Sequence, residues 1–419
     1  MGKASPRAYL ELFKGGRMVR MTIGGFFGRF YLGLLTLAML SMYTMSGYSY
    51  TLAGLAIGIT QLSNCLIGPF VSRAIDRRGQ SKVMPIAALI GMAGLATVML
   101  IVHFRGPIAI ALAASVLIGF VPQVMALTRA RWSYIFRKGN EHDAQRLKTA
   151  FSLEGMLDDL SFMISPALAI LISSRFFPEA GLLFGLITYI IGLIILVTDK
   201  SSEPDVEFMQ TATNVEGPKK RSVFLVYPIV TIFFIAMFFI GALFGFFDPG
   251  TYGMAAEIAT EELAGPAFIC GTGTSIVVCF IFGMLRFKAS ALKRTLVCGF
   301  GVALVYIPAA FATNLPMLYI SHAIGAIFYG PMTITLNAII EDTVSSARVT
   351  ESLTWMGAGM QLGMAFGPIV GGWLIDAFGA QAALFATSAS GLCIPLLFLV
   401  TLPILRKGLA AKPDQEAAA

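Results

Sequence analysis

Long apolar runs, separated by short stretches of charged residues or of Gly and Pro, dominate this 419-residue chain. The runs reach about 20 residues, the length a helix needs to cross a hydrocarbon core of about 30 Å. Twelve such helices are predicted, over roughly 21–45, 48–74, 83–103, 107–131, 146–173, 180–198, 224–250, 262–285, 292–312, 315–339, 349–375 and 380–404. An even number of spans places both termini on one side. One stretch breaks the pattern: "LEGMLDDLSF", Leu153–Phe162, puts Glu154, Asp158 and Asp159 inside the fifth run.

Composition agrees with the pattern. The chain is 57% hydrophobic and 13% charged, against roughly 25% charged residues in soluble domains. A soluble multidomain enzyme is excluded on that ground, and a polytopic membrane protein is expected. A net charge of +7 would suit a nucleic-acid partner if the basic residues formed a patch. They are instead sorted by side. Arg105 and Arg175 alone occupy loops on one side, and Arg29 lies within a span. The others fall at the termini, at span ends, or in the loops 76–82, 132–145, 199–223, 286–291 and 340–348. The positive-inside rule then makes those loops and both termini cytoplasmic, and no nucleic-acid partner is implied. The start of the chain has no apolar signal core with a cleavage site, so the first span is expected to act as the targeting signal. Cys65, Cys270, Cys279, Cys298 and Cys393 show no paired spacing. They predict neither a disulfide framework nor a metal site, and read as small buried apolar residues.

The two halves of the chain repeat. Setting Arg146 on Arg348, an offset of 202, places Gly155 on Gly357, Leu160 on Leu362 and Pro166 on Pro368. The fifth and eleventh spans thus correspond, in a parallel repeat of six-span halves with substrate expected near the midplane between them. The expected organisation is a six-helix bundle over 1–198, a flexible, solvated cytoplasmic linker over 199–222, and a second six-helix bundle with a short tail over 223–419.

Ionised groups within spans cost roughly 2.5–3.5 kcal/mol each on insertion scales, so they are expected to face a partner or a water-filled cavity. Glu154, Asp158, Ser161 and Ser165 are spaced i, i+4, i+7, i+11 and share one helix face. Asp159 lies about 100° away, near mid-membrane. Arg29 in the first span is placed to pair with one of the acids, leaving another to carry a proton or a cation; a structural charge network is the competing reading. Asp248, in "FGFFDPGTYG", precedes Pro249 and Gly250, which predict a discontinuity in the seventh span. His322 in the tenth span is a candidate proton carrier or a packing residue, and Tyr319 a candidate cavity residue. There is no phosphate-binding loop of the G-x-x-x-x-G-K-[ST] form, no H-E-x-x-H pair, and only three dispersed histidines. No hydrolytic chemistry, ATP drive, cofactor or metal is expected.

Over essentially its whole length the chain resembles the major facilitator superfamily. The loop after the second span, "SRAIDRRGQSKV", matches that family's gating signature at Asp76, Arg77 and Gly79, with Ser72, Gln80 and Ser81 departing from it. The resemblance implies that Asp76 accepts bonds from an arginine at a neighbouring helix end, with Arg129 or Arg131 of "LTRARW" as the expected partner. "GMAFGPIVGG", Gly363–Gly372, looks like the family's antiporter motif moved from the fifth span to the eleventh, where Gly367 and Pro368, like Pro166, are candidate hinges or packing elements. "RARW" with "TAFSLEGMLDDLSF", and an arginine at position 29, are similar to an actinobacterial-type branch grouped with drug and sugar efflux permeases. The resemblance implies a monomeric carrier in a bacterial cytoplasmic membrane that exports a small drug-like or cationic compound in exchange for protons. An uptake symporter or uniporter for a sugar, amino acid or other nutrient is the alternative. The arginine that drug antiporters carry in the outer part of the fourth span is missing from Pro107–Gln123.

Overall fold

The computed structural model describes residues 9, 11–13, 16–137, 141–213, 222–284, 289–345 and 348–410. Those residues form helices and connections without strands. Twelve helices are long and apolar enough to cross a membrane: Met18–Met45, Tyr50–Arg78, Gln80–His103, Ile108–Ile135, Asp143–Arg175, Ala180–Thr198, Pro228–Ile258, Glu261–Phe282, Ala291–Ala310, Leu315–Thr343, Val349–Phe378 and Ala380–Val400. They are called spans 1 to 12 below. Each begins within a few residues of the apolar run that predicts it.

The chain divides into two compact units, Met1–Ser46 with Ser63–Glu216, and Gly47–Leu62 with Gly217–Ala419. In the first, span 1 packs on spans 5 and 6, and span 4 on span 3. In the second, span 7 is central and lies against spans 11 and 12. Glycines let the backbones of spans 7 and 11 touch: a Cβ on Gly367 would stand 2.5 Å from Gly245 Cα. Gly367 and Pro368 lie inside an unbroken span 11, where it packs closely against span 7. The first turns of span 2 also belong to the second unit. Their free N–H groups are capped by Asp376 of span 11, which accepts from Tyr50 N at 3.0 Å and Thr51 N at 2.7 Å.

Three expectations are corrected. Span 7 runs through Asp248, Pro249 and Gly250 as continuous helix. Proline removes one backbone donor, but close packing along span 11 outweighs one lost bond, as is common in membrane helices. The broken helix is span 4, where α-helix Ile108–Leu117 and 3-10 turn Ile118–Phe120 give way to extended Val121, before helix resumes over Val124–Ile135. Pro122 forces the residue before it out of the helical region. Its own carbonyl accepts a bond from the Tyr189 hydroxyl at 3.2 Å. Finally, Cys298 is buried but Cys270 is exposed; a helix side facing lipid accepts a thiol as an apolar group.

The linker also differs from its reading as a flexible solvated stretch. Asp199 and Ser202 are buried, and a short helix spans Val206–Thr213. Residues 214–221 lie outside those described.

Candidate functional site

The polar face of span 5 turns toward span 1 and span 4. Arg29, Glu154 and Asp158 are 2%, 0% and 7% exposed. An Arg29 Nη2–H donates to Glu154 Oε2 in very close contact. Arg29 Nε lies 2.6 Å from Asp158 Oδ1, an ion pair off the line of a hydrogen bond. Arg129 Nη2 donates to the other Asp158 oxygen at 2.8 Å. Glu154 further accepts from the Thr128 hydroxyl and from Trp132 Nε1, both at 2.7 Å. Two cations and two carboxylates therefore form one balanced cluster, and both Glu154 oxygens are occupied. Buried charge is tolerable only when paired and hydrogen-bonded in this way. Ser161 and Ser165 continue the same buried face, where a Cβ on Gly33 of span 1 would collide with the Ser165 hydroxyl.

Asp159 is separate from that cluster. It is exposed, and no ion pair or hydrogen bond to it is found among the described residues. It stands at the centre of span 5, since Asp143–Arg175 leaves equal lengths on either side. At 1.5 Å per residue each end is about 24 Å away. Helical geometry explains the split: one residue beyond Asp158, the side chain has turned about 100° out of the buried face.

The signature loop forms a second cluster, and its pairing is not the expected one. Arg129 goes to Asp158. Arg131, fully buried, donates through Nε to Gln80 Oε1 at 2.7 Å, through Nη1 to Ser202 Oγ at 2.8 Å and Asp199 O at 3.0 Å, and through Nη2 to Leu196 O at 2.8 Å. Neither arginine bonds Asp76 among the described residues; the Gln80 carbonyl takes Arg131 instead, with the Gln80 amide held on the span 4 backbone. Gln80 also donates to Leu127 O at 3.4 Å. Glu203 accepts from Ser81 N at 2.7 Å. Gln80 and Ser81, which depart from the family signature, are thus the residues that tie the loop to span 4 and to the linker. Burial pushes the Asp199 carboxyl up, but bonds from Ser201 and Ser202 and the Arg131 charge outweigh this and hold it below the usual carboxylate range. Its stabilising contribution is present above the ordinary carboxylate pKa and is lost as pH falls through the lowered folded value.

Gly79 makes the sharp turn between spans 2 and 3 at φ +92° and ψ 151°, a region essentially confined to glycine. A Cβ there would also lie 3.2 Å from Glu203 Oε1. Gly79→Ala is expected to cost about 1–3 kcal/mol, read as a lower melting temperature of the purified protein; an unchanged melting temperature would show that the turn relaxes freely. Arg77 closes span 2 just before this turn.

In the second unit, Asp248 is partly buried on span 7 and has no ion pair among the described residues. Aromatic residues surround its helix face: Phe247 meets Tyr306 at 5.2 Å and Phe244 meets Tyr329 at 4.8 Å between centroids. His322 is buried, stacked on Phe247 at 4.0 Å. Its Nδ1 is 3.1 Å from Leu318 O and its Nε2 is 3.3 Å from Thr251 Oγ1. Nδ1–H therefore donates to the carbonyl and Nε2 accepts from the hydroxyl, so both ring nitrogens are used. The Tyr319 hydroxyl donates to Leu263 O at 2.8 Å and ties span 10 to the 3-10 turn that opens span 8. Pro166 lies within the unbroken helix Glu141–Arg175.

Sequence reasoning overlooked Thr128, Trp132, Gln80, Ser202 and Glu203. "TRARW" offered a signal for two of them, because Thr128 and Trp132 are i, i+4 and share a face. The partners in the loop and linker come from distant sequence and left no local pattern.

Twelve apolar helices, a largely buried charge cluster within one unit, and an acid exposed at the middle of a span mark a polytopic membrane protein. The family model of the Major Facilitator Superfamily matches residues 21–312 and 290–419, and the chain belongs to that family. It is a secondary transporter and a multi-pass membrane protein. A search of curated protein sequences finds no match. Among solved structures, the nucleoside transporter NupG is similar over 91% of this chain and 98% of its own, at TM-score 0.70 and 12% identity, in its D323A form. An auto-inhibited POT family peptide transporter is similar over 94% of this chain and 97% of its own, at TM-score 0.67 and 9% identity. The human organic anion transporter MFSD10 is similar over 92% of this chain and 100% of its own, at TM-score 0.59 and 14% identity. These likenesses establish a shared fold.

Proposed function

We propose that the protein exports a small organic compound, cationic or neutral, across a bacterial cytoplasmic membrane in exchange for protons, with Asp159 as the carboxylate that alternates between proton and cargo. The observation that carries this reading is the position of Asp159: exposed, unpaired among the described residues, and central in a membrane span. An ionisable group at that depth is a functional candidate by default. Glu154 and Asp158 are already neutralised by Arg29 and Arg129, so their role is to fix spans 1, 4 and 5 together. Asp248 is a second candidate acid. The two acids without ion pairs away from the span ends, Asp159 and Asp248, are negative, which favours a cation or a neutral molecule over an anion. Similarity of "RARW" and "TAFSLEGMLDDLSF" to the efflux branch supports export. The signature loop, from Asp76 and Arg77 through Gly79 to its anchor on Arg131, acts as the gate; Arg129 belongs to the span 5 cluster. The working unit is a monomer, and Pro166, Gly367 and Pro368 shape helix packing as the carrier moves between states.

A second reading is uptake, favoured by structural neighbours that are nucleoside and peptide transporters. Inside-out vesicles with an acid interior separate the two. With ethidium, uridine and dialanine as probes, the proposal expects ethidium to accumulate in the vesicles and the accumulation to collapse with the proton gradient. Accumulation of uridine or dialanine only in vesicles of the opposite orientation would replace export with symport.

A further inference from the structure

Spans 8, 9 and 10 enclose a cavity of about 360 Å³ that none of the carrier's chemistry uses. Its walls are apolar, with Ile281 of span 8, Val297 of span 9, and Phe328 and Pro331 of span 10. At one end stand Lys293 and Arg294, and no acid lines it among the described residues. Val297 and Ile281 are 53% and 51% exposed, so the cavity opens sideways along the surface of these helices.

The charges at that end run against the local electrostatics. Span 9 starts at Ala291, with Ser290 as its N-cap accepting from Lys293 N. A helix N-terminus carries positive partial charge and favours anions. Here the first turn holds two cations instead. In sequence, Gly283–Thr295, "GMLRFKASALKRT", is basic without an acid; of its cations Lys293 and Arg294 are among the described residues, and Arg286 and Lys288 lie outside them. Arg294 Nε is also buried without a hydrogen-bond partner among the described residues. Two adjacent cations, Lys293 and Arg294, a helix N-terminus and an unmet guanidinium donor are all relieved by one anion. The apolar cavity leading away from them calls for a hydrocarbon chain on the same molecule.

We propose that this cavity binds an anionic phospholipid, with an acyl chain between spans 8, 9 and 10 and its phosphate on Lys293, Arg294 and the first turn of span 9. The basic side of the membrane protein is where such headgroups are held. From Lys293 to Cys298 the lining runs about 8 Å along span 9, away from the two cations. A zwitterionic lipid offers the same chain but brings its own cation against Lys293 and Arg294, so the site discriminates by charge.

Native mass spectrometry of the detergent-purified protein, with phosphatidylglycerol or phosphatidylcholine of identical chains added, tests this, alongside melting temperature. Phosphatidylglycerol should be retained and raise the melting temperature, while phosphatidylcholine and inorganic phosphate should do neither. K293Q/R294Q should weaken phosphatidylglycerol retention roughly thirtyfold, about fivefold for each cation. Val297→Trp keeps the cations and fills the cavity, and should remove the same effect. Equal retention of both lipids would overturn the proposal. So would a phosphatidylglycerol effect that survives in K293Q/R294Q or in Val297→Trp, or a full shift from inorganic phosphate, which would mark a bare anion site. If one variant does not fold, the other decides.

Discussion

Glu154→Gln is expected to lower the stability of the folded protein by about 3–5 kcal/mol, the usual cost of leaving one buried charge without its partner. Arg29 has Glu154 on one side and Asp158 on the other, and Asp158 is already shared with Arg129. Removing the Glu154 charge leaves two arginines on one carboxylate. Trp132 Nε1 and the Thr128 hydroxyl, both bonded to Glu154, would face an amide that can accept only through one oxygen. The loss is read as a lower melting temperature and smaller folded yield. The companion variant Arg29→Met/Glu154→Met removes both charges together. It should recover most of the stability, because a buried ion pair can be replaced by apolar side chains at little cost. A wild-type melting temperature for Glu154→Gln would show that the cluster is open to water and available for transport chemistry.

Asp159→Asn is expected to behave in the opposite manner. The side chain is exposed and makes no bond that the fold needs among the described residues, so the melting temperature should stay at the wild-type value. Proton-linked movement of cargo should fall at least about tenfold, because the exposed mid-span carboxylate can no longer change charge. Asp159→Glu keeps the charge and should retain part of the activity and its pH dependence. The pair of results separates a coupling residue from a packing residue: one leaves stability and removes coupling, the other does the reverse. Asp248→Asn is a milder comparison, since that group lies apart on span 7.

Much of the fold was legible because a membrane imposes a coarse code. Apolar length gave the helices, and the distribution of Lys and Arg gave the sidedness argument. The meeting of Arg29 with the span 5 acids was also foreseeable, since charge in hydrocarbon must find a partner. What periodicity left open was the division of labour. Glu154 and Asp158 share a face with Ser161 and Ser165, and that face could have bordered water or another helix; contact with spans 1 and 4 buries these four residues, with Arg129 at the exposed edge. Asp159 differs from Asp158 by one residue in sequence and by its whole environment in space. The proline signals were misread for a related reason. Pro249 and Pro122 are both intramembrane prolines, but close packing of span 7 against span 11 keeps the first helix intact, while span 4 breaks at Val121. The Arg131 network was invisible because its partners, Gln80, Asp199 and Ser202, lie up to 71 positions away.

The division between a paired, largely buried charge cluster and an exposed coupling acid is tested most directly in proteoliposomes containing a pH-sensitive dye. Protons moved in response to an added gradient of ethidium, uridine or dialanine, whichever the wild type transports, are followed for wild type and Asp159→Asn at equal folded protein. The account predicts proton movement in the wild type and its loss in Asp159→Asn, with both proteins melting at the same temperature. Proton movement of wild-type size in Asp159→Asn would contradict it and return the coupling role to Glu154, Asp158 or Asp248.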